Sequence, residues 1–392
     1  MKKIIFKIYD RFTKNICKWR KLYSESKYWS KEQLKEYQLE RLKELGINSW
    51  EEFYKLPLTT KEDLRNFKPD LSKYNKKELT CHYSSGSTGE PLKTYGPGFL
   101  QSIKPAIFER AWKGVGWNGK DYILRLTAGE PQWKVFDWLR NVKPMNYRTI
   151  GDKHINWIIK HKPFLIHGGS GAIREITTIL KKTEEGLKVM KNIGLYLMSE
   201  DTTKHVKELK KYYRFIYSGY GLAELCTVAS QCEFGLYYVN METCIVEVID
   251  GEIIVTDLFN NIMPIIRYRT KDYGYLHELN DYRCGWCDKH HDILLNIKGR
   301  GIDYYDGPEV KRPLGWWILS PISHNPKVIK QWKVTVIPKE KKLILYVVWK
   351  NKPSKLYSYK RWIKKETGLS VEIVEKKTMS IKQRMKLLEI VK

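Results

Sequence analysis

The stretch Ser84-Ser85-Gly86-Ser87-Thr88-Gly89-Glu90-Pro91 holds two glycines, four hydroxyl side chains and a proline in eight residues. Glycine lets a backbone close around an anion, and hydroxyls add donors to the backbone N–H groups. Polyphosphate needs a cradle of that kind. The spacing is not that of a P-loop, because Glu90 rather than Lys follows Gly89. The same eight residues also suit a plain surface turn. A second segment, Tyr217-Ser218-Gly219-Tyr220-Gly221-Leu222-Ala223-Glu224, places aromatic faces and one carboxylate close together. A purine can stack on Tyr220, and Glu224 offers the hard oxygen that Mg²⁺ on phosphate requires. Read alone, it is better taken as a glycine-rich strand–helix turn with a surface Glu. In Pro264-Ile265-Ile266-Arg267-Tyr268-Arg269-Thr270-Lys271-Asp272, the carboxylate of Asp272 can accept bonds from both hydroxyls of a ribose. The alternative is a strand whose charges face water.

Two segments near the C-terminus complete the set. Ile297-Lys298-Gly299-Arg300-Gly301-Ile302-Asp303 carries two glycines that permit a swivel. Ser380-Ile381-Lys382-Gln383-Arg384-Met385-Lys386 is basic. A Lys carried on a mobile domain could neutralise charge developing on a phosphate, though basic tails are commonly only solvated. Cys284-Gly285-Trp286-Cys287 followed by His290 has the C-x-x-C-x-x-H spacing of a tetrahedral zinc site. A turn with two buried cysteines is the other reading.

The elements expected to position these residues follow from periodicity. Short apolar runs at Tyr122–Leu126, Phe164–His167, Leu195–Met198 and Phe215–Tyr217 read as buried strands. Lys153–Lys160 and Ala172–Lys182 read as helices between them, and such alternation predicts a mostly parallel, covered sheet. From Tyr237 the texture changes to strands in series, Tyr237–Val248 and Glu252–Asp257. Beyond residue 300 a small α+β pattern begins, with strands Trp332–Ile337, Leu343–Trp349 and Ser370–Val374 and a helix over Lys355–Thr367. The chain is thus expected to be α/β, with a large domain over 1–299 and a small mobile α+β domain over 300–392. Residues 1–50 read as helical, with Ile4, Ile5, Ile8, Phe12 and Ile16 on one face. That face can lie on a membrane surface or pack on the large domain; packing is favoured.

The chain has 392 residues, 42% of them hydrophobic, and a net charge of +27, which favours an acidic partner such as a nucleotide or coenzyme A. Lysines run from end to end, so general lysine bias explains much of that charge. Fourteen Trp and 26 Tyr beside it raise single-stranded nucleic acid as a rival partner. With no RNA-binding or helix-turn-helix signature, nucleic acid is not expected. Seven cysteines and a charged N-terminus without a signal peptide point to a reducing, cytoplasmic setting.

In their order, the five segments outside the Cys/His cluster resemble the adenylate-forming superfamily of acyl-CoA synthetases. The likeness is nearest to phenylacetate–CoA ligase and its homologues in capsule and polysaccharide gene clusters. Tyr220-Gly221-x-x-Glu224 and Arg267-Tyr268-Arg269-Thr270-x-Asp272 carry it best, with Leu56-Pro57 and Thr60-Lys61-Glu62-Asp63-Leu64-Arg65 in support. The resemblance implies a large multi-subdomain adenylation domain and a small C-terminal lid. It implies that a carboxylic acid and ATP give acyl-AMP, and that CoA, an amine or a surface-polysaccharide sugar then takes the acyl group. It implies that Ser84, Ser85, Gly86, Ser87, Thr88 and Gly89 hold the phosphates and that Glu224 holds Mg²⁺. Tyr220 and Gly221 then line the adenine side, Asp272 binds ribose, and Arg300 contacts ribose or phosphate. Lys382, with Lys386 as second choice, becomes the catalytic Lys of the first half-reaction. Trp112, Trp117, Trp133, His167 and Tyr196 become acyl-pocket residues.

In the same branch a Cys upstream joins the Cys/Cys/His cluster. That implies a structural Zn²⁺ on Cys232, Cys284, Cys287 and His290, with His291 as substitute. The chain departs from the family at Ile302, where Asp is usual, at Ile381, where Gly is usual, and at Lys271, where Gly is usual. A degenerate member acting as a scaffold is the alternative function.

Overall fold

The structure is a computed structural model. It describes residues 10–75, 79–83, 92–127, 134–198, 203–225, 227–279, 289–298, 329–349, 352, 360–361, 363–364, 367–377 and 388–390. Two compact units emerge. The first comprises Met1–Thr60, Pro69–Thr80 and Gly96–Gly299; the second comprises Lys61–Lys68, Cys81–Tyr95 and Arg300–Lys392. No helix among the described residues is long and apolar enough to cross a membrane.

The first unit begins with helices α1 (Asp10–Ser26), α2 (Lys31–Glu44) and α3 (Trp50–Lys55). Ser30 starts α2 with a capping box: its Oγ accepts from the Gln33 N–H, and the Gln33 side chain accepts from the Ser30 N–H. Ile16, Trp19 and Tyr23 of α1 are buried. Trp19 and Tyr23 pack on Ile103, Ala106 and Ile107 of α5 (Leu100–Gly114). The Trp19 indole also donates to Ser102 Oγ at 3.1 Å. This stretch of the N-terminal helix therefore packs on its own unit; Ile4, Ile5 and Ile8 lie outside the described residues.

Strands β1 (Leu79–Tyr83) and β2 (Lys93–Pro97) form a two-stranded sheet. The main sheet has eleven strands in the order β10-β11-β12-β13-β9-β8-β7-β6-β5-β3-β4. Its parallel part is β3 (Ile123–Thr127), β4 (Val142–Asn146), β5 (Leu165–Gly168), β6 (Gly194–Leu197) and β7 (Phe215–Gly221). Helices α6 (Lys134–Leu139), α7 (Asp152–His161), α8 (Ser170–Leu180), α9 (Glu184–Met190) and α10 (Thr203–Leu209) alternate with these strands. Alternate side chains serve two cores, as the period of a strand dictates. Leu124, Ile166 and Leu195 meet Ile158, Ile173 and Ile176. On the other face Ile123, Leu165 and Tyr196 meet Trp112 and Trp117. Both faces are covered, so the apolar runs of the sequence are nearly continuous here.

The antiparallel part is β8 (Thr227–Gln231), β9 (Tyr237–Val239), β10 (Cys244–Ile249), β11 (Glu252–Asp257), β12 (Tyr268–His277) and β13 (Ile293–Lys298). The single strand expected over Tyr237–Val248 is two strands. Between them the Thr243 N–H and hydroxyl both bond the Asn240 carbonyl, closing a turn inside an apolar run. A buried polar lock fastens the helices to this region. Glu242 Oε1 receives Ser26 at 2.5 Å, Arg110 at 2.8 Å and His291 at 2.9 Å. Lys31 pairs with Asp292 in the same manner. Burial alone would push the Glu242 carboxyl up, but Arg110 and His291 hold it well below the usual carboxylate range.

The second unit contains α4 (Lys61–Asn66) and a four-stranded sheet in the order β16-β15-β14-β17. Its strands are β14 (Ile329–Ile337), β15 (Lys342–Trp349), β16 (Ser370–Glu375) and β17 (Leu388–Ile390). β14 and β15 pair antiparallel across the Pro338–Glu340 turn, while β16 and β17 add parallel edges. Val334, Val336, Leu343, Leu345 and Val347 form its buried centre.

Candidate active site

β7 is the pivot of the large sheet. Residues 215–218 pair parallel with β6, and residues 219–221 pair antiparallel with β8. The glycine-rich segment that resembled a turn is therefore ladder. Gly219 packs tightly: a Cβ there would stand 2.5 Å from Met198 Sδ and 3.2 Å from the Tyr196 hydroxyl, so the Met198 side chain would have to shift. Ser218 is fixed through its N–H, which donates to Gln231 Oε1 at 2.7 Å, and its hydroxyl touches Tyr237. The next outward position, Tyr220, donates its hydroxyl to Asp272 Oδ2 at 2.9 Å. Just beyond the strand end, Glu224 Oε1 accepts from the Tyr268 hydroxyl at 3.4 Å.

Tyr220 and Asp272, named from separate segments of sequence, are thus brought together, while Glu224 meets Tyr268, four residues before Asp272 on the same strand. Three strands lie between β7 and β12 in the sheet order. In a flat sheet that offset is about 19 Å, beyond the reach of a Tyr–Asp hydrogen bond. The antiparallel part must curl to bring β12 round to the end of β7. Asp272 and Glu224 are 7% and 8% exposed, so both carboxylates sit at a protected rim. Tyr268 is a site residue that sequence reading missed as such. Its signal was register: Tyr268, Thr270 and Asp272 are the buried positions of an alternating strand.

The start of β12 is irregular. Arg267 has φ +46°, and its guanidinium holds Glu247 at 2.8 Å and the Tyr54 and Leu56 carbonyls at 2.7 and 2.6 Å. Arg267 braces the strand rather than facing the site. The Thr59 N–H donates to the Arg267 carbonyl, and the Arg269 N–H donates to the Thr59 carbonyl. The Leu56-Pro57 segment thereby lies along β12. Further on, Lys271 has φ +62°. That left-handed backbone is one that glycine adopts more readily than lysine.

A second group lies at the carboxyl ends of β5 and β6, where open parallel sheets place ligands. The Trp112 indole donates to His167 Nδ1 at 2.9 Å, so the imidazole proton sits on Nε2. Burial pushes His167 down to about 3, leaving it neutral. Phe108 and Tyr196 flank it at ring distances of 4.5 and 5.5 Å. Trp117 donates to the Asp121 carbonyl and packs edge-on against Trp112. It supports the group from behind. Trp133 lies outside the described residues.

Ser84, Ser85, Gly86, Ser87, Thr88, Gly89, Cys284, Cys287, Arg300 and Lys382 also lie outside the described residues. Among the described residues no group of three His, Cys, Asp or Glu side chains could hold a metal. Cys232 is buried beside Tyr238, Leu279 and Ile293, and its Sγ accepts from the Phe234 N–H at 3.4 Å. His291, the substitute, is engaged with Glu242.

Neither a family model nor a curated protein sequence matches the chain. Solved structures do. The chain shares its fold with 2-hydroxyisobutyryl-CoA ligase. The structure of that enzyme with 2-HIB-AMP and CoA, in the thioesterification state, superposes with a TM-score of 0.56 at 14% identity, covering 97% of this chain and 90% of that one. Its postadenylation state with R3-HIB-AMP gives 0.54 at 13% identity, over 97% and 89%. An open conformation with 2-HIB-AMP and CoA gives 0.53 at 14% identity, over 98% and 92%. The shared fold is mixed α/β, as the alternation of apolar runs and amphipathic segments predicts.

Proposed function

We propose that the chain is an AMP-forming acid ligase. A carboxylate oxygen attacks the α-phosphorus of ATP; the bond to the bridging oxygen breaks, and pyrophosphate leaves with its electrons. The acyl-AMP so formed then passes its acyl group to the thiol of CoA or to another nucleophile, releasing AMP. The observation that carries this reading is the hydrogen bond from Tyr220 to Asp272, with Glu224 bonded to Tyr268 on the same strand as Asp272. The fold of a CoA ligase solved with an acyl-adenylate supports it.

In this reading Asp272 accepts from the ribose hydroxyls and is oriented by Tyr220, whose ring stacks on adenine. Glu224, a hard oxygen donor at the protected rim, would hold Mg²⁺, which when bound offsets the charge of the phosphate oxygens. Ser84 to Gly89 hold phosphates, Arg300 contacts ribose or phosphate, and Lys382 stabilises charge at the α-phosphate. The neutral His167 with Trp112, Phe108 and Tyr196 lines the acyl pocket, where an uncharged imidazole suits a small polar or aromatic acid. Phenylacetate is the first acid to try, and CoA the first acceptor; an amine and a polysaccharide sugar follow. A structural zinc is proposed on Cys232, Cys284, Cys287 and His290.

Pyrophosphate release from ATP with Mg²⁺, screened across a panel of carboxylic acids, tests the reading. Release that depends on one acid class, and that Glu224→Ala abolishes, is expected. Equal turnover in that variant would remove Glu224 from the metal role.

A further inference from the structure

Asp272 owes its position to a bulge, and the bulge is held by a residue outside every motif above. Between β11 and β12 the register pairs Glu252 with Tyr273 and Ile254 with Arg269. Two steps on β11 therefore face four on β12, and the surplus falls on Thr270, Lys271 and Asp272. Bulges turn a side chain out of its regular direction and are often found beside active sites. Lys271, at φ +62°, is the residue that turns the chain. A lysine does not choose that conformation unaided.

Glu252 supplies the restraint. It is 4% exposed. Its Oε1 accepts the Lys271 N–H at 2.9 Å, and its Oε2 accepts the Arg269 guanidinium at 2.5 Å. The arrangement continues into Asp272: the Thr270 hydroxyl donates to the Ile253 carbonyl at 2.7 Å and accepts the Asp272 N–H at 3.0 Å. Asp272 emerges with Oδ2 against the Tyr220 hydroxyl.

We infer that Glu252 is a positioning residue for nucleotide recognition: by clamping the left-handed turn at Lys271, it aims the Asp272 carboxylate at the ribose. This rests on the nucleotide reading of Asp272. It makes a claim that reading does not, namely that ribose discrimination depends on a carboxylate that never meets the ligand. It also explains how the chain carries Lys where a glycine would turn freely: the Glu252 clamp does for Lys271 what the absence of a Cβ does for glycine.

The test compares binding of ATP and 2′,3′-dideoxy-ATP, each measured by calorimetry at a temperature where every variant is folded. The unaltered chain should prefer ATP by at least tenfold, and Asp272→Ala should abolish that preference. Glu252→Gln should reduce the preference to about twofold or threefold, weakening ATP and leaving dideoxy-ATP nearly unchanged. Adding Lys271→Gly to Glu252→Gln should restore most of it, because glycine takes the turn without the clamp. A general loss of structure would weaken both nucleotides and would not be rescued. Arg269→Met, at the exposed end of the clamp, is the second variant and should lower the preference in the same selective way. Full preference in both Glu252→Gln and Arg269→Met overturns the inference while leaving the ribose reading intact. No preference in the unaltered chain overturns the ribose reading, and the inference with it.

Discussion

Across β4, β3, β5 and β6 the large sheet is parallel and regular, and β5 and β6 are buried at every position. From β8 to β12 it is antiparallel, and Arg267, Lys271 and Asn296 lie in left-handed backbone. The first region spends its side chains on two apolar cores. The second buries carboxylates at Glu252 and Asp272, with Glu247 half-buried, among guanidinium, hydroxyl and phenol groups. A regular ladder gives stability but fixes every side chain to one of two directions. A bulge weakens the ladder and sets three residues of β12 opposite one of β11, while Asp272 keeps the buried face of Tyr268 and Thr270. β7 joins the two regimes within one strand, and the candidate site begins where its pairing changes.

If that division of labour is right, stability and recognition separate by mutation. Leu195→Ala in β6 should cost about 2–5 kcal/mol by loss of transfer energy plus a cavity. Urea unfolding reads the loss, and the ratio of ATP to dideoxy-ATP affinity should not move. Asp272→Ala should do the reverse. Acid-dependent pyrophosphate release should fall about a hundredfold, about 2.7 kcal/mol at the transition state, with little change in the urea midpoint.

Much of the parallel region was legible in sequence, because a strand buried on both faces is a short apolar run between amphipathic helices. The runs at Phe164–His167 and Leu195–Met198 fall on β5 and β6 within one residue. The antiparallel region was harder. The turn at Asn240–Thr243 lies between Val239 and Cys244, so apolar periodicity ran straight through it. The expected strand ends at Tyr217 because Gly219 and Gly221 read as a turn, whereas both pair with β8. The lock of Ser26, Arg110, Glu242 and His291 joins residues up to 216 positions apart, so no local pattern announces it. Tyr220, Glu224 and Asp272 were nameable from their motifs. The meeting of Tyr220 with Asp272 depends on the curl of four strands, and the bond of Tyr268 to Glu224 depends on the register of β12.

Acid titration sharpens the comparison at a smaller scale. His167 is pushed down to about 3, so the unfolded chain binds a proton that the folded chain refuses. Its contribution to stability is present above about pH 6.5 and is lost as pH falls toward 3, at up to about 1.4 kcal/mol per unit. Asp257, pushed up to about 6 by burial, works the other way between about pH 6 and 3.8. Glu242, held low, adds a further loss below about pH 4.5. The change in urea midpoint between pH 7 and pH 5 should therefore be less unfavourable in His167→Phe than in the unaltered chain, where the His167 and Asp257 slopes oppose each other. The smallest effect is expected at the bulge itself. Lys271→Gly should add about 0.5–1 kcal/mol, because the turn no longer strains a Cβ, despite the greater freedom of glycine when unfolded. A thermal melt showing a loss there would mean that the Lys271 side chain contributes more than its backbone costs.

The central claim is that Tyr220, Glu224 and Asp272 form one nucleotide site that activates an acid. Its most direct measurement is formation of an acyl-adenylate, followed by mass spectrometry in single turnovers with ATP, Mg²⁺ and a panel of carboxylic acids, in the unaltered chain and in Asp272→Ala. The account predicts an acid-specific adenylate in the first and a roughly hundredfold slower one in the second. An adenylate formed equally fast by both proteins would contradict it, as would no adenylate from any acid by an unaltered chain that is folded and saturated with ATP.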